Sequence, residues 1–127
     1  MSNVAVIDDD ENWCLSIQRF LQQEFEVTVF TAISELLYSQ QIYDVVIVDF
    51  TILPASEHET VMNGCELIDY LKSTMHPPPQ AILVSGFISQ RDLGEGMQLC
   101  PTADAFLAKD AGLEAMLQQV RCLLNRQ

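Results

Sequence analysis

The chain has 127 residues, 49% of them hydrophobic, with 18 Asp and Glu against 6 Lys and Arg and a formal net charge of −12. That length suits one domain spanning 1–127, and that apolar share suffices for a core, so disorder is excluded as the main state. The acidic balance argues against direct nucleic-acid binding and against adhesion to an anionic membrane surface, both of which need a basic footprint.

No apolar run approaches the ~20 residues of a membrane span, and Met1-Ser2-Asn3-Val4 shows no signal peptide, which fits a cytoplasmic protein. Cys14, Cys65, Cys100 and Cys122 form no C-x-x-C pair, and each sits in or beside an apolar segment. The reading for such a protein is four buried or half-buried reduced thiols, with a redox switch as the alternative.

The predicted elements alternate. Val4–Ile7 is a short, wholly apolar run and the first strand. A helix over about 11–24 follows, with Trp13, Ile17, Phe20 and Leu21 on one face. Val27–Phe30 is a weaker strand, and a short helix at about 32–40 carries Leu36 and Leu37. Val45–Val48 is the third strand. Leu67, Ile68 and Leu71 mark a helix from about Gly64 to Met75, ended by Pro77-Pro78-Pro79. Ala81–Val84 is the fourth strand. A poorer helix at 89–99 contains Gly94 and Gly96. Ala105–Ala108 is the fifth strand, and Leu113, Met116, Leu117, Val120 and Leu124 give the cleanest helical stripe. Continuous apolarity marks strands buried on both faces. Five strand–helix repeats imply an α/β fold, a doubly wound parallel sheet with helices on both sides.

Ligands of such sheets bind at the carboxyl ends of the strands. There the chain places Asp8, Asp9 and Asp10 after strand one, Asp49 after strand three, Ser85 and Gly86 after strand four, and Lys109 after strand five. Two carboxylates ~5 Å apart repel by roughly 3 kcal/mol at an effective dielectric of ~20, so such a cluster calls for a cation. Mg²⁺ suits carboxylate oxygens. With the metal bound, Asp49 can act as a nucleophile toward phosphorus while Ser85 and Lys109 hold the transferred oxygens. Asp10 reads instead as a helix cap, and Asp44, at the opposite edge, as a turn residue.

These stretches resemble the receiver domains of bacterial two-component response regulators, the family of the chemotaxis response regulator. The matching segments are Val4–Glu11, Asp44–Asp49, Asn63–Leu67, Ile82–Gly86 and Ala105–Lys109. The resemblance implies a flavodoxin-like (βα)5 sheet of strand order 2-1-3-4-5. It implies a signalling switch rather than an enzyme, one that catalyses only its own aspartyl phosphorylation and slow dephosphorylation. Asp49 would be the phosphoacceptor. Asp8, Asp9, Asp49 and the backbone carbonyl of Thr51 would hold Mg²⁺, and Ser85 and Lys109 would contact the phosphoryl group. Ser85 and Phe106 would form the switch, for which plain core packing is the alternative reading of Phe106. The implied partners are a sensor histidine kinase or histidine phosphotransfer protein and a downstream output protein or fused output domain. A homodimer would use the face of the helix at 89–99, strand five and the last helix.

Two departures stand out. Asp110 replaces the family's usual proline after the lysine, so a cis bond there is disfavoured by ~2.5–4 kcal/mol. Gly64 lies 15 positions beyond Asp49, several more than usual. The extra segment, about 54–62 with Glu57, His58 and Glu59, reads as a tolerated surface insertion or as a flap beside the site. His76 reads as a surface residue. Thr51 and Phe87 flank the path of attacking water, and neither is a strong general base, which predicts slow self-dephosphorylation. Two other functions compete: a receiver-like interaction module that no longer responds to phosphate, and a phosphohydrolase of the haloacid dehalogenase type. The latter needs a second Asp two positions after the nucleophile, where Thr51 stands.

Overall fold

The computed structural model describes residues 1–39, 41–50, 63–86 and 100–125. Five strands, β1 (Asn3–Ile7), β2 (Glu26–Phe30), β3 (Val45–Asp49), β4 (Gln80–Ser85) and β5 (Ala105–Ala108), form one parallel sheet in the order β2-β1-β3-β4-β5. Among the described residues four α-helices accompany it: α1 (Glu11–Leu21), α2 (Ile33–Ser39), α3 (Gly64–Thr74) and α4 (Leu113–Leu124). The doubly wound arrangement and strand order expected of the sequence are both present. The predicted helix at 89–99 lies outside the described residues.

Alternation within each strand splits the core in two. Val4, Val6, Val45, Ile47, Ile82, Val84, Ala105 and Leu107 pack on one face, against α1 and α4. Ala5, Ile7, Val46, Val48, Ala81, Leu83 and Phe106 pack on the other, with α2 and α3. Apolar burial on both faces is why these strands carry no polar alternation.

The helix ends follow local chemistry. Asp10 caps α1 by accepting from the Trp13 N–H at 3.2 Å, as its position suggested. α1 closes at Leu21, short of the predicted Glu24, because the chain turns back there: the Glu24 and Phe25 N–H groups both reach the Leu21 carbonyl. Asn63 and Glu66 cap α3 reciprocally, at 2.8 and 3.1 Å. At the amino edge of the sheet, Asp44 accepts from the Asn3 N–H at 2.8 Å and so joins β1 to β3. His76 is exposed, as expected.

The cysteines correct the sequence reading. Cys65 and Cys100 form a disulfide with Cα atoms 5.7 Å apart, while Cys14 is a buried thiol and Cys122 an exposed one. Thirty-five positions separate the bonded pair, so only the packing of α3 against the segment before β5 could reveal it.

Candidate functional site at the carboxyl edge of the sheet

Strand register brings the chemistry together. Ile7 pairs with Val48, so Asp8 and Asp49 emerge side by side at the ends of β1 and β3. Ala108 pairs with Ser85, which sets Lys109 beside the end of β4. Asp49 and Ser85 are the last residues of their strands rather than the first residues after them. Parity then sorts the side chains. Asp8, Asp49 and Lys109 continue the rows that face α1 and α4, whereas Ser85 continues the row of Ala81 and Leu83, the face that also buries Phe106.

Asp8, Asp9 and Asp49 each offer a carboxylate oxygen within 4.8 Å of the others. Asp8 and Asp49 are buried; Asp9 is exposed. Lys109 Nζ lies 3.0 Å from Asp8 Oδ2 and 3.6 Å from Asp49 Oδ2. It also stands 5.7 Å from the centre of the Trp13 ring, a cation–π contact from the first turn of α1. Asp8 Oδ1 accepts from the Asp10 N–H at 2.9 Å, and the Cys14 thiol donates to the Asp8 carbonyl at 3.3 Å.

Burial sets the electrostatics. It lifts the Asp8 carboxyl above the usual range, against the opposing pull of the Asp10 N–H and Lys109. Burial, then the charge of Asp8, lifts Asp49 to about 6, with Lys109 opposing. Burial alone would depress the Lys109 ammonium, but its pairing with Asp8 and Asp49 outweighs that and raises it. Among the described residues one cation, Lys109, thus meets a cluster of three carboxylates. Buried Asp8 Oδ2 has, among the described residues, no hydrogen-bond partner apart from its ion pair with Lys109. An all-oxygen cluster with excess negative charge and such an atom fits a hard divalent cation.

Two glycines and a trans bond shape the rim. A Cβ on Gly64 would sit 2.2 Å from the Asp49 carbonyl oxygen, so no other residue fits there, and the Gly64 N–H bonds the Phe50 carbonyl at 2.8 Å. Gly86 lies against the Lys109 stem. The cis peptide bond among the described residues is His76–Pro77, so Lys109–Asp110 is trans, as the absence of proline implied. Lys109–Ala111 then form a 3₁₀ turn, and Gly112, at φ +92°, leads into α4.

The structure therefore brings Asp8, Asp9, Asp49 and Lys109 into one cluster, with Ser85 at the adjoining strand end. Phe106 is buried in the core beyond it. Thr51, Phe87 and the segment 54–62 lie outside the described residues. Sequence reasoning missed Trp13 as the neighbour of Lys109; the one available signal was its place in the first turn after Asp10.

Fold and site resemble those of response-regulator receiver domains, and the acidic cluster is of the kind typical of a phosphorylation site in them. The BeF3-activated receiver domain of DrrB superposes with a TM-score of 0.80 at 26% identity, over 98% of each chain. The response regulator DrrB of Thermotoga maritima, an OmpR/PhoB homologue, matches at 27% identity and TM-score 0.79, over 99% of this chain and 54% of that one. TrrA from the same organism, solved in complex with Mg²⁺ and BeF, shares the fold at TM-score 0.74 and 19% identity, over 97% and 99% of the two chains. No protein-family model and no curated protein matches the chain.

Proposed function

We propose that residues 1–127 form one phosphoacceptor receiver domain of a cytoplasmic two-component phosphorelay. A histidine kinase or histidine phosphotransfer protein donates the phosphoryl group to Asp49. The observation that carries this reading is the convergence of Asp8, Asp9, Asp49 and Lys109 within one cluster at the strand ends.

Asp49 ionises above about pH 6 and then presents a carboxylate oxygen to phosphorus. That oxygen forms the new P–O bond as the P–N bond of the donor breaks and the imidazole leaves with a proton. Lys109, within ion-pair distance of Asp49, is placed to neutralise the phosphoryl oxygens, and the Ser85 hydroxyl is the adjoining donor. Mg²⁺, when held by Asp8, Asp9, Asp49 and the Thr51 carbonyl, supplies the positive charge that phosphoryl transfer needs. Once Asp49 is phosphorylated, Ser85 and Phe106, on one face of the sheet, form the switch that reshapes the surface around β5 and α4 for an output partner or a second copy. With Thr51 and Phe87 offering no strong base, the acyl phosphate is long-lived.

Incubation with phosphoramidate or acetyl phosphate plus Mg²⁺, read by intact mass, tests the assignment. A phosphoryl adduct that disappears in Asp49→Ala supports it. No adduct and no Mg²⁺ binding would favour an interaction module that does not respond to phosphate. Adduct half-life in wild type and in Phe87→Glu tests the slow hydrolysis: a short wild-type lifetime that the variant leaves unchanged would refute it.

A further inference from the structure

One seam joins α3 to the turn before β5. Cys65, Asp69 and Lys72 lie along one side of α3, and they meet Cys100, Thr102 and Asp104 in order. The first pair is the disulfide, the second is the Thr102 hydroxyl donating to Asp69, and the third is Lys72 Nζ at 2.5 Å from Asp104. One end of the seam abuts the acidic site, and the other connects to it along β5. Gly64, next to Cys65, is pressed against the Asp49 carbonyl. Asp104 accepts from the Ala81 N–H at 2.8 Å and leads directly into β5, after whose last residue comes Lys109. The disulfide thus ties the frame of Asp49 to the frame of Lys109.

We propose that the Cys65–Cys100 disulfide is a redox modification site, opened by a dithiol reductant and closed again by exchange with a disulfide oxidant, and that its closed form tightens the acidic site for Mg²⁺ and phosphoryl transfer. This rests on the receiver function proposed above. Three observations favour a reversible bond over a folding staple. Cys100 belongs to one core cluster and Cys65 packs against it, but the remaining members of both clusters are apolar residues of the sheet and helices, and a chain of this length does not need stapling. Cys65 is half-buried and the more exposed of the two, while Cys100 is wholly buried. The Asp69–Thr102 and Lys72–Asp104 pairs hold the seam in register when the bond opens, which keeps the sulfurs close for reclosure. Misrouting to Cys14 is blocked as well, because that thiol is buried across the sheet from Cys100.

The chemistry balances as ordinary thiol–disulfide exchange. A thiolate of the reductant attacks Cys65 Sγ, the S–S bond breaks, and Cys100 leaves as a thiolate that takes up a proton. The second thiol of the reductant then attacks the mixed disulfide, frees the Cys65 thiol and leaves the reductant as a disulfide. Two electrons and two protons pass to the chain. Opening the bond loosens only the Cys65 end of the seam, where Gly64 abuts the Asp49 carbonyl, while the two polar pairs hold the rest, so Asp49 loses part of its alignment with Lys109.

The test compares oxidised protein, dithiol-reduced protein and Cys65→Ser/Cys100→Ser, all carrying Cys122→Ser. Mg²⁺ affinity is read from the fluorescence of Trp13, the sole tryptophan, and phosphorylation from the initial rate with phosphoramidate. Oxidised protein is expected to bind Mg²⁺ about fivefold more tightly than the other two, and by reciprocity Mg²⁺ makes the bond about fivefold harder to reduce. Its Tm is expected to exceed theirs by on the order of 10 °C. Free thiols at all three remaining cysteines in denatured, unreduced protein would overturn the proposal, as would equal Mg²⁺ affinities in the two redox states. A redox-dependent Mg²⁺ affinity with no phosphoryl adduct in any state would instead remove the receiver function and leave the redox site standing.

Discussion

Replacing Asp49 by asparagine should stabilise the metal-free fold at neutral pH. Burial and the neighbouring Asp8 lift the Asp49 carboxyl from its ordinary 3.8 to about 6. Between those values the folded chain holds a proton that the unfolded chain has released. Wild-type stability therefore falls as pH rises through this window and stays lower above it. The gap is worth about 3 kcal/mol. The opposing pull of Lys109 is already contained in that shift, so the gain in the variant is the same, about 3 kcal/mol. For a chain of this length that raises Tm by about 11 °C. Urea unfolding in a chelator at pH 4, 5.5 and 7.5 measures it: the difference should be near zero at pH 4 and full at pH 7.5. Mg²⁺ should then reverse the ranking by stabilising wild type alone. Equal stabilities at pH 7.5, or a gain independent of pH, would refute the reasoning, because both would mean that desolvation of this carboxylate is not what strains the site.

Other substitutions separate function from framework. Lys109→Met leaves two buried carboxylates without their cation; it should slow phosphorylation about a hundredfold and destabilise the fold at pH 7.5 but hardly at pH 4, as paired urea curves would reveal. Gly64→Ala drives a methyl into the Asp49 carbonyl, and a loss of at least about 2 kcal/mol together with impaired adduct formation is expected from unfolding and intact-mass measurements. Asp10→Ala removes the α1 cap and should cost about 1 kcal/mol while the adduct still forms, with Asp10→Ser restoring most of the loss. Iodoacetamide at pH 8 should alkylate the exposed Cys122 quickly in native protein and spare Cys14, whose thiol burial pushes up to about 12; peptide mapping would read both sites.

The positions of Asp8, Asp9, Asp49, Ser85 and Lys109 were legible because each follows or ends an apolar run, and parallel strands must expose those ends on one edge. The same local logic identified Asp10 as a cap and Leu113–Leu124 as the last helix. Helix ends were less legible: α1 stops at Leu21 because its carbonyl takes two N–H groups from the returning chain, an event no periodicity encodes.

What the order of residues settled, then, is the class of fold and the set of groups at its reactive edge, since hydrophobic period and strand-end position are properties of neighbours along the chain. Three things depended on long-range packing. The tie between Cys65 and Cys100 spans 35 positions and exists only because α3 lies against the turn before β5. Trp13 meets Lys109 only because α1 covers the ends of the sheet. The lifted Asp49 carboxyl depends on being buried between Asp8 and Lys109, and burial is a property of the assembled core rather than of any stretch of sequence.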